Sequence, residues 1–216
     1  MEEGIIHSYS AVVHHLHKRL KYPLPGKVGQ KPMQPYMPLV PKLDAPRRKA
    51  TKHGAVMAII YAKEDSPYLL LIERNTYKGA HSGQISFPGG KIEIGESPLT
   101  AAIRECHEEV GIDNNRYMVL SPLTEVFVWA SNFMVYPFLA ISDNIGDMVA
   151  DIKEVKTIIE CPLSYFFDNN NKSEKMMKSY LGISLMAPYY KIHDVPLWGA
   201  TAMMISEIES LLNTDY

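Results

Sequence analysis

The chain has 216 residues, enough for one well-buried domain with a small appended element. Its 46% hydrophobic and 21% charged content is that of an ordinary soluble globular protein, and two cysteines exclude a disulfide framework or a zinc-finger spacing. The net charge of −2 hides an asymmetry: residues 1–52 carry ten Lys/Arg against three Asp/Glu (+7), and the remainder twelve against twenty-one (−9). A basic lead on an acidic body suits an anionic ligand held beside metal-binding carboxylates, or a solvated arm. No apolar run has the length of a membrane span, and no basic region followed by a hydrophobic stretch opens the chain. The expected location is cytoplasmic.

Residues 5–20 repeat apolar groups at Ile5/Ile6, Val12/Val13, Leu16 and Leu20, which predicts an amphipathic helix with His14, His15 and His17 on its polar face. From Lys21 to Pro46 prolines recur, and an extended surface segment is expected, ending in Arg47-Arg48-Lys49. Residues 1–50 are thus an N-terminal helix and an extended basic, proline-rich segment packed on a domain spanning 51–216. Within that domain Ala55–Tyr61 and Tyr68–Ile72 predict a hairpin, and their near-continuous apolarity predicts a sheet covered on both faces. A short strand, Gln84–Phe87, is followed by the breaker Pro88-Gly89-Gly90, whose glycines allow a ligand close to the backbone. Lys91–Gly95 reads as a loop.

Ser97 as N-cap, Pro98 at the first helical position and Gly111 as C-cap bound the next helix, with Leu99, Ala102, Ile103, Cys106 and Val110 as its buried stripe. Strands are expected at Met118–Leu120, Glu125–Trp129 and Val135–Ile141, then a polar loop at Asn144–Asp151. Glu154–Cys161 reads equally as strand or short helix. Pro162–Phe167 predicts a helical turn and Asp168–Asn171 a loop. A strand at Tyr189–Ile192 precedes an amphipathic helix at Leu197–Leu212, whose buried face holds Thr201, Met204, Ile205, Ile208, Leu211 and Leu212.

The chemistry concentrates in Gly90–Ile112. Glu105, Glu108 and Glu109 fall at i, i+3 and i+4, on one face of the helix. Like charges so placed repel by roughly 3 kcal/mol per pair at ~6 Å and an effective dielectric of ~20. Water or a bound cation must offset that repulsion. A solvated acidic face is the common explanation of a Glu-Glu pair alone. The full pattern of Gly90, Glu96, Arg104, Glu105, Glu108, Glu109 and Gly111 would arise by chance at roughly one position in 10^8. Carboxylates supplied by one helix suit Mg²⁺, which prefers hard oxygen ligands and keeps several waters. Arg104 can brace Glu108 at i+4, or Glu96.

This stretch matches G-x5-E-x7-R-E-U-x-E-E-x-G-U, where U is a bulky apolar residue, with Cys106 the one loose fit. It resembles the Nudix box. The resemblance implies an α/β fold: a Nudix-type α/β/α sandwich around a mixed sheet. It also implies Mg²⁺- or Mn²⁺-dependent hydrolysis of a nucleoside diphosphate linked to another moiety. Glu105 and Glu109 would be the main metal ligands, assisted by Glu108, Glu96 and the Gly90 carbonyl. Upstream, Leu70, Leu71, Arg74, Gly83 and Phe87-Pro88-Gly89-Gly90 match in register a pattern similar to that of coenzyme A diphosphatases, L-L-T-x-R-[SA]-x3-R-x3-G-x3-F-P-G-G. Ile72, Asn75 and Gly79 depart from it; Gly79 replaces an arginine, and Lys78 stands beside it.

On that likeness the substrate is coenzyme A or acyl-CoA. Arg74 would contact phosphate, Lys78, Gly83, Phe87, Gly89 and Gly90 would line the substrate site, and Glu154 is a candidate general base. The alternatives are a Nudix pyrophosphatase for ADP-ribose, NADH or a nucleoside triphosphate, and a nucleotide-sensing Nudix module without catalysis, which the intact box disfavours. The expected partner is a small nucleotide, not nucleic acid or membrane, and a homodimer is left open.

Overall fold

The apolar run at Ala55–Tyr61 is the spine of the molecule. In the computed structural model, which describes residues 5–37, 50, 52–76, 82–179 and 181–213, it forms the centre of β1 (Lys52–Lys63). The chain turns through Glu64 and Asp65, both at positive φ (51° and 61°), into β2 (Ser66–Arg74). Two left-handed residues match the twist of the paired strands, so the turn is tighter than Lys63–Pro67, and Ser66 and Pro67 already belong to β2.

The strand period of two sorts β1 between two cores. Ala55, Met57, Ile59 and Tyr61 join one; Ala58 and Ile60 join the other. β1 pairs in parallel with β7 (Phe133–Ser142) and antiparallel with β2 and β4 (Gly89–Lys91). The path continues to β3 (Ile85–Ser86) beyond β2 and β5 (Met118–Pro122) beyond β7. β6 (Val126–Val128) adds to β7 and β8 (Val155–Pro162) to β2, giving a mixed eight-stranded sheet. β8 settles the ambiguous stretch at Glu154–Cys161 as a strand, because β2 offers it a long antiparallel partner.

Helix α3 (Pro98–Val110) covers one face. The other face is covered by α1 (Tyr9–Arg19), α2 (Gly26–Gln30) and α4 (Ala200–Asn213), so the α/β/α layering is as expected. Val12 and Leu16 of α1 are fully buried, and Leu123 and Val126 share their core. A second sheet, ordered β11-β10-β9, packs at the edge of that core through Tyr190, Ile192 and Leu197. Its strands are β9 (Lys172–Lys178), β10 (Ser184–Ile192) and β11 (Val195–Trp198).

Several expectations need correction. The proline-rich segment is not wholly extended, because α2 runs between prolines: Pro25 is its N-cap, and Pro32 falls in the first turn of a following 3-10 segment, Lys31–Met33. Proline is harmless there, since those N–H groups lack intrahelical partners anyway. Residues 38–49, including Arg47 and Arg48, lie outside the described residues. His15 is buried, its Nε2 3.2 Å from the Leu211 carbonyl. Lys91 belongs to β4 rather than a loop, and Leu197 and Trp198 belong to β11 rather than the last helix. Among the described residues no helix is long and apolar enough to cross a membrane.

Candidate active site

The site is assembled on α3. Ser97 caps it as expected, its Oγ accepting from the Thr100 N–H at 3.1 Å, and Gly111 closes it at φ 71°. Both caps are local and readable from residue type. The buried stripe is Ala101, Ala102, Cys106, Glu109 and Val110, with Leu99 and Ile103 only half-buried. The helix thus lies rotated so that Glu109 faces the protein, 1% exposed, while Glu108 keeps a half-exposed side chain.

β4 brings the glycine turn to the carboxylates. The Gly89 N–H donates to Glu109 Oε2 at 2.8 Å. Gly89 sits at φ 152°, and a Cβ there would meet Val56 Cα at 2.6 Å. A Cβ on Gly90 would fall 2.5 Å from Glu105 Cδ and Oε1. These two glycines are what lets the helix carboxylates reach the strand backbone.

Two arginines balance the negative charge. Arg104 Nε and Nη2 donate to Glu96 at 2.9 and 3.0 Å. Its Nη1 reaches Glu105 and Glu108 at 2.9 and 2.8 Å, and Nη2 also donates to the Lys91 carbonyl at 3.1 Å. Arg104 therefore braces three carboxylates: Glu96 and Glu108, expected as alternatives, are both held, and Glu105 is held as well. Arg74, at the end of β2, donates through Nη2 to the Gly89 carbonyl and lies 2.8 Å from Glu109 Oε1. It orients the buried glutamate rather than reaching outward alone.

The charges shape each carboxyl differently. Burial pushes Glu109 up to about 7, opposed by Arg74 and the Gly89 N–H and reinforced by Glu105 and Glu154. Burial also raises Glu105, against the pull of Arg104. Glu96 is lowered by its bonds from Arg104 and the Glu93 N–H.

The residues fit a divalent cation by chemistry. The donor set is hard oxygen, and the buried Glu109 Oε1 has the Arg74 ion pair at 2.8 Å but no hydrogen bond. Among the described residues no three His, Cys, Asp or Glu side chains converge as a ready-made cage, because Arg104 stands among Glu96, Glu105 and Glu108.

The other expected site residues divide. Glu154 is exposed; its carbonyl accepts from the Asn75 N–H at 2.8 Å, which ties its backbone to the residue after Arg74, and its charge acts to raise both Glu105 and Glu109. Gly83, at φ 65°, donates its N–H to the Asn75 carbonyl at 3.3 Å beside Arg74. Phe87 does not line the site: it is fully buried in the core on the far face of the sheet from α3. Lys78 lies outside the described residues. Sequence reasoning missed Asn75 as a structural node; its departure from the coenzyme A pattern was the available signal.

Comparison with known proteins identifies the family. The family model for the NUDIX domain matches residues 51–178, and the chain belongs to the Nudix family. It is 28% identical over 163 residues to a probable nudix hydrolase of Schizosaccharomyces pombe, covering 74% of this chain but only 56% of that protein. It is 29% identical to the peroxisomal coenzyme A diphosphatase ndx-8 of Caenorhabditis elegans, covering 74% of this chain and 69% of that one. The NUDIX domain of Shewanella oneidensis NrtR, solved in complex with ADP ribose, superposes with a TM-score of 0.52 at 14% identity over 80% of this chain and 95% of that chain. That last likeness is one of fold.

Proposed function

We propose that the protein hydrolyses the phosphoric anhydride of a nucleoside diphosphate derivative with Mg²⁺ or Mn²⁺, and that coenzyme A or acyl-CoA is the substrate. The observation that carries the reading is Glu109, a buried carboxylate set between the Gly89 N–H and Arg74 on the same helix face as Glu105. No core requires a charge there. A cation site does.

Glu105, Glu109 and Glu108, with Glu96 and the Gly90 carbonyl, are the groups proposed to hold the metal. A bound divalent cation there neutralises phosphate charge and makes an attacking water more acidic. Arg104 keeps the outer carboxylates aligned through its three-way brace. Arg74 anchors Glu109 with Nη2, and Nη1 is the proposed phosphate contact. Glu154, exposed beside the carboxylates, takes the proton from the attacking water. Attack at one phosphorus breaks the anhydride; from coenzyme A the products are 3′,5′-ADP and 4′-phosphopantetheine.

The upstream match through Arg74, Gly83 and Phe87–Gly90 and the likeness to the nematode enzyme support coenzyme A. Gly79, in place of an arginine, supports ADP-ribose as the second reading. The test is incubation with Mg²⁺ and coenzyme A, acyl-CoA, ADP-ribose or NADH, with products identified by mass. Turnover of ADP-ribose without coenzyme A would overturn the substrate and leave the hydrolase reading standing.

A further inference from the structure

We infer that Asn75 is a positioning residue that ties the loop bearing Glu154 to the end of β2 and so holds that carboxylate beside α3. The inference rests on the hydrolase reading above and goes beyond it, since it concerns what places the base.

The loop at 151–154 has little packing to hold it. Ile152 is 85% exposed, and Lys153 and Glu154 are exposed too. It forms a turn on Asp151, which accepts from the N–H groups of Lys153, Glu154 and Val155, and that turn is placed by hydrogen bonds from two sides. On one side the Asp151 N–H donates to the Glu109 carbonyl at 3.0 Å, at the end of α3. On the other, Asn75 Nδ2 donates to the Ile152 carbonyl at 2.7 Å, and the Asn75 N–H donates to the Glu154 carbonyl at 2.8 Å. The Asn75 carbonyl meanwhile accepts from Gly83. One residue thus joins three parts of the site.

Register adds to this. β2 and β8 pair regularly from Tyr68↔Pro162 to Glu73↔Thr157, then shift so that Arg74 faces Val155. The shift leaves Lys156 as an extra residue and turns Val155 into the core under α3. Such a bulge re-aims the residues that follow it along the strand. Here the extra residue lies two positions from Glu154, and past the last ladder pair the Asn75 N–H and Nδ2 join the segment's own bonds to Asp151 in holding it. Serine or alanine at this position, as in the coenzyme A pattern, lacks an amide donor of that reach.

The test combines a double-mutant cycle with hydrogen exchange on the full chain. Asn75→Asp keeps the shape but sets a carboxylate oxygen against the Ile152 carbonyl; Asn75→Ala removes the donor. Each is made alone and Asn75→Ala also with Glu154→Gln, and assayed with Mg²⁺ and whichever compound of the panel the wild type hydrolyses. We expect each Asn75 variant to lose about 10-fold or more in kcat, with KM within about 2-fold. The double variant should be no slower than Glu154→Gln alone, and amide exchange should quicken at 151–155 but not in β1.

Additive losses, or unchanged exchange at 151–155, would overturn the proposal. So would full activity of Glu154→Gln. If the wild type hydrolyses nothing in the panel, the hydrolase reading fails instead, and exchange in Asn75→Ala alone decides whether the tie exists.

Discussion

Glu109 carries an electrostatic conflict, a carboxyl 1% exposed and raised to about 7 by that burial. Its folded value lies above its unfolded one, so in chelator this group contributes stability that is fully present below about 4.5 and lost as pH rises through about 7. Glu109→Gln removes that loss. Its melting temperature relative to wild type, measured in EDTA, should rise between pH 5 and 8, while turnover with Mg²⁺ falls by about 10²-fold or more. A variant with near-normal turnover would sink the metal assignment.

Gly90 gives a complementary test. Gly90→Ala brings a methyl group 2.5 Å from the Glu105 carboxylate, which must move. Activity should drop by about 10-fold or more with a small change in melting temperature, because the obstacle is the end of a flexible side chain rather than the backbone.

At the scale of elements, the N-terminal helix is a structural layer. Leu16 is fully buried against the sheet, and Leu16→Ala should cost roughly 2–5 kcal/mol in urea unfolding. The residual folded protein should turn over substrate normally, since α3 lies on the opposite face. The short helix α2 is held by a buried carboxylate. Glu207 accepts from Gln30 Nε2 at 2.9 Å and from Thr124 Oγ1 at 2.6 Å, and Ser206 Oγ donates to the Gly29 carbonyl at 2.6 Å. Glu207→Ala strands a donor on each of Gln30 and Thr124 and should lower stability by about 1–3 kcal/mol, read by the same unfolding curves.

At the scale of the molecule these contacts bear on how the chain divides. We propose that residues 5–37 complete the domain rather than decorate it, since α1, α2 and α4 together form one of its three layers. A chain beginning at residue 51 should then expose the apolar face under Val12 and Leu16 and aggregate or melt far below the full chain, as measured by light scattering and calorimetry. A soluble, cooperative 51–216 fragment of equal stability would show the lead segment to be an appendage.

What was legible in the sequence, and what was not, follows from the range of the forces involved. The box helix, its caps, the buried face of α4 and the β1–β2 hairpin rest on interactions within a few residues, which periodicity and cap chemistry report directly. β9 was not read: Lys172–Lys178 lacks the alternation of a strand, its two apolar residues Met176 and Met177 being adjacent, and it becomes a strand because β10 supplies its hydrogen-bond partners. Phe87 is buried in the core shared with α1 and α4, a packing outcome that its place in the motif does not report.

The spacing of Gly90, Glu96, Arg104, Glu105, Glu108 and Glu109 by itself determined the kind of chemistry, because one helix turn sets which carboxylates share a face. Only the tertiary structure decided which of them is buried, that Arg74 holds Glu109, and that the loop of Glu154 is tied through Asn75. Those outcomes depend on how α3, β2 and β8 meet in space, and residues 35 to 77 positions apart meet there through packing that no local pattern encodes.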